Sequence, residues 1–257
     1  MAYKRSGYAK KASKNRQKAA RAMQRRAFRG AASTRNALRY NRILTPAPRN
    51  GRPEIKMVDN MNGQSTITQA INTTGTLNVV NLIRSGSGFN QRIGRRIEMK
   101  SLHLTGLIKP TGTVNASYDM ARIMVIYDRQ PNGAVPTISQ ILLNYDQGNA
   151  TSTNALAHTN PDQRERFMVL MDERLALPSY ATTTGLTGAG DGPNKTFLIN
   201  RYINLAGLRT QYGQDSTVAA IGDIASGALY VLSLGSFAAA AEAWTFTCSW
   251  RLRYQDN

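Results

Sequence analysis

Residues 243–254 read AWTFTCSWRLRY, and the reading of this run decides the fold. Trp244, Phe246, Cys248, Trp250, Leu252 and Tyr254 alternate with Thr245, Thr247, Ser249, Arg251 and Arg253. A strand turns successive side chains to opposite faces, so the pattern predicts a long strand with one face in a core and one in water. Working outward, strand patterns recur at Glu54 to Asp59, Thr66 to Asn72, Arg95 to Lys109, Asp119 to Asp128, Glu165 to Asp172, Thr196 to Leu205 and Ala228 to Gly235. The separators are rich in Gly, Pro, Asn and Thr, and a short helix is predicted near Thr137 to Leu143. With 41% hydrophobic residues in 257, the chain can bury one substantial core or two small ones. About eight strands with one short helix predict an all-β antiparallel sandwich or barrel. The connections over residues 144–163 and 178–194 are too long to be simple links, which marks them as contact surfaces.

Charge divides the chain in two. Residues 1–53 hold sixteen Lys/Arg and no acid, whereas residues 54–257 hold seventeen Lys/Arg against fifteen Asp/Glu. The formal charge of +18 is therefore +16 on a leading arm and +2 on a nearly neutral body. This is the pattern expected of a folded unit that also holds a polyanion. The segment TPAPRNGRP, residues 45–53, reads as a semi-extended linker, so the expected organisation is a basic arm and linker over 1–53 and a strand-rich body over 54–257.

Within the arm, Lys11, Lys14, Lys18, Arg21, Arg25 and Arg29 fall in an arc of roughly 80° at 100° per residue, forming a basic stripe backed by Ala and Met. Like-charge neighbours oppose such a helix by roughly 0.2 to 0.5 kcal/mol each in free solution. A loose arm that orders on phosphates is expected. The candidate nucleic-acid contacts are Lys4, Arg5, Lys10, Lys11, Lys14, Arg16, Lys18, Arg21, Arg25, Arg26, Arg29, Arg35, Arg39 and Arg42; Arg251 and Arg253, on the polar face of the last strand, join them only through what the family resemblance below implies. Binding through phosphate is sequence-independent and salt-sensitive, with Tyr3, Tyr8, Phe28 and Tyr40 available to stack on unpaired bases. Nuclear import is a compatible second use of the same cations. For Arg251 and Arg253 the other reading is that they face solvent or pair with acids across strands.

The sequence offers little chemistry. Asp172 and Glu173 are adjacent, so on a strand they point to opposite faces and cannot share a proton. SGSGFNQRIGRR, residues 85–96, lacks the Gly-Lys-Ser/Thr ending of a phosphate cradle and reads as a turn entering a strand, with Arg92, Arg95 and Arg96 as further possible phosphate contacts. Cys248, His103 and His158 supply neither a disulfide nor a usual zinc cluster. No catalytic residue, metal or cofactor is expected. No run is long enough to span a bilayer and no secretory signal is evident, so a cytosolic or nuclear product without membrane contact is expected.

RIGRRI from Arg92, YDRQPNGAVPTISQIL from Tyr127 and RFMVLMD from Arg166 resemble the capsid proteins of small circular single-stranded DNA viruses. The basic arm, strand-rich body and aromatic last strand are similar as well, so the resemblance covers essentially the whole chain. It implies an eight-stranded antiparallel jelly roll of the satellite-virus type with a disordered or helical basic arm. It also implies self-assembly of about sixty copies into an icosahedral shell, with the sheet holding the last strand toward the lumen. Such a shell would bring on the order of a thousand arm charges to its cargo. Single-stranded DNA is favoured over RNA by the resemblance alone; virion and host nucleus are the implied locations, with host import machinery as a partner. A cellular structural RNA-binding protein with a basic tail, ribosome-associated for example, is the alternative from another class. A cupin-like enzyme or lectin would need a ligand or metal site.

Overall fold

The computed structural model describes residues 54–60, 66–110, 119–145, 150–151, 155–178, 196–236 and 244–256. The alternating run forms β13 (Trp244–Asp256), and its six apolar side chains are all fully buried or nearly so. Burying each of the larger ones is worth roughly 1.5 to 3 kcal/mol. On one side β13 pairs with β4 (Arg96–Pro110) along its whole length, and on the other with β1 (Ile55–Asp59) and β2 (Ile67–Ala70). Asn60, in the left-handed region at φ 47°, carries the ladder past the end of β1: its amide donates to the Trp250 carbonyl at 3.1 Å and its Oδ1 accepts from the Trp250 amide at 2.8 Å. The far edge of β4 is shared by β9 (Phe197–Asn204) and β10 (Arg209–Tyr212), and β11 (Ile224–Ser226) adds beyond β10. A turn containing Gly207 at φ 94° separates β9 from β10.

The second sheet has the order β3 (Thr76–Val79), β12 (Ala228–Leu234), β5 (Asp119–Asp128), β8 (Phe167–Leu177). Counting β1 with β2 and β9 with β10 as broken single strands, and setting aside β11 and the two-residue strands within 144–151, leaves eight strand positions in chain order. The sheets then read 1-8-3-6 and 2-7-4-5, every pair antiparallel. That is the jelly-roll connectivity, two interlocked Greek keys closing one core. The main core between the sheets holds Trp244, Phe246 and Trp250 with Leu104, Ile123, Val125 and Val231.

The four-stranded sheet has a cover on its other face too. The described residues of 129–145 and 155–166 cross it, carrying the short helix α1 (Ile138–Ile141), and bury Ile141, Leu142 and Ala157 against Met124, Ile126, Leu232 and Leu234. β5 and β12 are consequently buried on both faces and read as almost continuous apolar runs. The crossing segment is pinned by Arg122, whose guanidinium forks onto Asp172 at 2.8 and 2.7 Å and donates to the carbonyls of Ala155 and Ala157. Its start is fixed by the fully buried Asp128, which accepts two bonds from Arg166 at 3.0 and 2.8 Å and one from the Gln130 amide. A buried carboxylate needs such partners, which gives the Tyr127–Gly133 block its physical reason. Two hairpin strands, β6 (Asn144–Tyr145) and β7 (Ala150–Thr151), complete the element order.

Candidate nucleic-acid interface

The crossing segment covers the four-stranded sheet, whereas among the described residues no segment covers the outward face of the seven-stranded sheet. The alternation that buries Trp250 and Leu252 turns Arg251 and Arg253 outward, both exposed. Register extends the face across the neighbours. Arg251 lies opposite His103 and Thr245 opposite Lys109 on β4; His103 lies opposite Tyr202 on β9, and Glu98 opposite Arg209 on β10. Lys100 and Arg96 complete the cations, with Lys100 donating to Glu98. Hydroxyls of Thr68, Thr105, Thr247 and Ser249 fill the middle, and Thr68 and Thr247 bond each other at 3.2 Å.

The balance of charge on this face is distinctive. It displays Arg96, Lys100, Lys109, Arg209, Arg251 and Arg253 against Asp59 and Glu98, six cations and two acids. The described body holds sixteen cations and twelve acids, so the remaining ten of each cancel. Its whole positive excess is displayed on one sheet face.

Arg251 and Arg253 differ in their surroundings. Arg251 forks onto Asp59 on β1 at 2.7 and 2.6 Å, and its hydrogen bonds hold that carboxyl below its usual range. Arg253, one pair along, faces solvent, and the ladder bulges just after it. Both arrangements match the reading in which the pair faces solvent or pairs with acids across strands. His103 Nε2 bonds Asn200 Oδ1 at 2.8 Å, and its ring lies 6.4 Å from that of the exposed Tyr202, tilted by 46°. The fourteen arm cations from Lys4 to Arg42 lie outside the described residues.

Residues 85–96 form a turn entering β4, as their composition suggests. Arg92 is an interior residue: its guanidinium donates to Ile83, Gly94 and Gln214 carbonyls and to Asp215, and lies 3.9 Å over the Tyr212 ring. Four of its five N–H donors are taken by protein oxygens and the side chain is buried, which leaves it unavailable to a phosphate chain. Arg95 is exposed beside Asp215, and Arg96 belongs to the cationic face. Asp172 and Glu173 point to opposite sides, Asp172 to Arg122 and Glu173 to Arg201 at 2.9 and 2.7 Å. Among the described residues no three His, Cys, Asp or Glu gather as a metal site.

Sequence reasoning missed Lys100, Lys109, Arg209, His103 and Tyr202 as members of the face. The signal for those on β4 was present, since Arg96, Glu98, His103, Thr105 and Lys109 occupy the non-apolar positions of its alternation. Tyr202 and Arg209 required the register, which links residues about a hundred positions apart.

Fold and face together define a class: a jelly-roll wall whose surplus charge is shown on one sheet, the architecture that capsid subunits share with some lectins. The model of the Geminivirus coat protein/nuclear export factor BR1 family matches residues 4–257, and the chain belongs to that family. Membership places it in a viral coat-protein class, which is a structural one. Among solved structures, a protein of Desmodium yellow mottle tymovirus is 12% identical over 83% of this chain and 93% of its own, with a TM-score of 0.31. The VP2 subviral particle of infectious bursal disease virus is 15% identical over 80% of this chain and 43% of its own, with a TM-score of 0.15. No curated protein matches the chain.

Proposed function

We propose that this coat protein closes into an icosahedral shell of about sixty copies and packages single-stranded DNA. In this reading residues 1–53 are the nucleic-acid-binding arm and linker, and residues 54–257 the wall. The observation that carries it is the double asymmetry of charge: +16 on the first 53 residues, and the entire described excess of the remainder on one sheet face. A wall with a cationic side and a neutral remainder has an inside and an outside. Cations at Arg253, Lys109 and Arg209 are spread across several strands, which suits a flexible phosphate chain better than a small anion. Tyr202, exposed beside His103, offers a ring on which an unpaired base can stack.

Arg251 enters this scheme as a shared cation. Its fork is held by Asp59, so a phosphate gains from it less than from Arg253, which has the solvent side to itself. The arm also serves host nuclear import, consistent with the nuclear-export half of the family's description, and virion and host nucleus are the two places of residence. Electron microscopy of purified full-length protein with an oligonucleotide tests the core of this proposal. Uniform closed particles near roughly 20 nm are expected from about sixty sandwiches of this size; monomers alone at every ionic strength would reject it.

A further inference from the structure

The end of the sandwich where the Ser85–Arg95 loop meets residues 213–218 is built differently from the cationic face. Phe89, Ile93 and Val218 stand there 52%, 73% and 67% exposed. The loop that carries the first two is anchored inward at nearly every polar group. Arg92 is spent on the interior as described, and Ser85 N donates to Ser216 O at 3.0 Å. The Asp256 carboxylate accepts from the amides of Ile93 and Gly94 and from Lys56. Gln91 closes the tip, its amide donating to Gly88 O and its side-chain oxygen accepting from Gly88 N. Apolar side chains held outward on a fixed backbone have little ordering left to lose when they are covered.

Beside them lies a cavity of about 280 Å³ lined by Val58 and Leu82 and by the polar Asp59, Asn60, Arg84, Asn90 and Gln91, the last two being the residues after Phe89. A cavity of about 150 Å³ already accepts a benzene ring, so this one has room for a phenyl side chain. The exposed charges around the knob and hole are Arg84 and Arg95 against Asp215 and Asp59, the last shared with the cationic face through Arg251, so this end stays within one charge of neutral. A patch that meets its own copy must not repel itself, and this end satisfies that condition where the cationic face does not.

We propose that two copies of this chain meet here about a two-fold axis, the Phe89 ring of each entering the cavity of the other. A two-fold contact uses one patch twice, so it requires a projection and a recess side by side on the same surface. This end supplies both. The inference rests on the assembly reading above and adds the surface through which assembly proceeds.

The test uses the full-length chain in nucleic-acid-free, high-salt buffer, with Phe89→Ser, Ile93→Ser and, as control, Leu198→Ser. Leu198 is 76% exposed on the cationic face, so it matches the first two in exposure and chemistry but not in place. Sedimentation should show a dimer whose half-formation concentration rises about tenfold in each loop variant and stays within about twofold in the control. Circular dichroism at concentrations too low for dimer should give all four chains the same thermal midpoint, and amides 86–94 of the unsubstituted chain should exchange more slowly as concentration rises. Equal association by all four chains, an equal loss in the control, or unchanged exchange at 86–94 while particles still form overturns this contact and leaves the shell reading standing. A full-length chain that forms neither dimers nor particles overturns both.

Discussion

Two side chains show how far a residue's type is from its role. Cys248 is the only cysteine, sits in the core of β13, and burial pushes its thiol up to about 12. Thiolate is the reactive species, so a thiol both inaccessible and protonated near pH 8 is inert. Native protein at pH 8 should therefore leave Ellman's reagent uncoloured and develop one equivalent of colour only in denaturant; prompt native reaction would place β13 outside the core. Arg92 is the opposite case, a charged residue that the sequence offers as a phosphate ligand and the fold uses as a rivet. Arg92→Met should cost about 3 kcal/mol in urea unfolding, because three carbonyls and Asp215 lose a buried partner. Lysine should restore little of it, since a single ammonium cannot span acceptors set around a planar fork. Asp215 is held below the usual carboxylate range by its bonds from Arg92 and then Arg95. A depressed folded pKa means its share of the stability is present above the unfolded value and lost as pH falls through the folded one. The gap between the two proteins should narrow only in strong acid.

At the scale of elements, alternation was legible wherever one face of a strand meets water and the other a core. β13, β4 and β9 follow it, and their expected bounds differ from the observed ones by only one or two residues. β5 and β12, covered on both faces, lack the alternation but are legible as apolar runs. The four residues TLNV of Thr76–Val79, half-buried up to the buried Val79, show neither signal, and β3 is not evident in the sequence. β8 was expected to stop at Asp172 and runs on to Leu177, because Asp172 and Glu173 look like a strand end until Arg122 and Arg201 are brought to them by other strands. A glycine within β4 is equally silent in sequence. Gly106 faces Phe246, and a Cβ there would lie 2.3 Å from the ring and 3.1 Å from Cys248 Cβ. Gly106→Ala should thus cost about 1 to 3 kcal/mol through overpacking rather than stabilise the strand. In Phe246→Leu the same change should cost distinctly less, and a denaturation double-mutant cycle reads the difference. Strict additivity would mean that the ring is not what excludes the side chain.

For the whole molecule, the question is how two cationic surfaces on one chain divide the hold on a polyanion. Legibility divides along the same line: the arm's charge is evident from composition because its sixteen cations are contiguous and unopposed. The sheet face is hidden, because its six cations come from β4, β10 and β13 and are diluted in a body of net +2. Counterion release supplies a measurement that separates them. Each single-strand phosphate neutralised contributes a slope of about −0.7 to the logarithm of the binding constant against the logarithm of salt. Removing residues 1–42 deletes fourteen cations and leaves the face intact. Full-length protein titrated with oligothymidine by fluorescence anisotropy should give a slope on the order of −10, and the shortened chain about −3, the value for a face with four net charges. Adding Lys109→Ala and Arg253→Ala to the shortened chain should take the slope to about −1.4, whereas Arg251→Ala should change it less, because Asp59 already neutralises that guanidinium. A shortened chain with no salt dependence would assign all binding to the arm. One that keeps the full slope would assign it to the wall, and the arm's cations would then need another partner, the import machinery being the one their clustering fits.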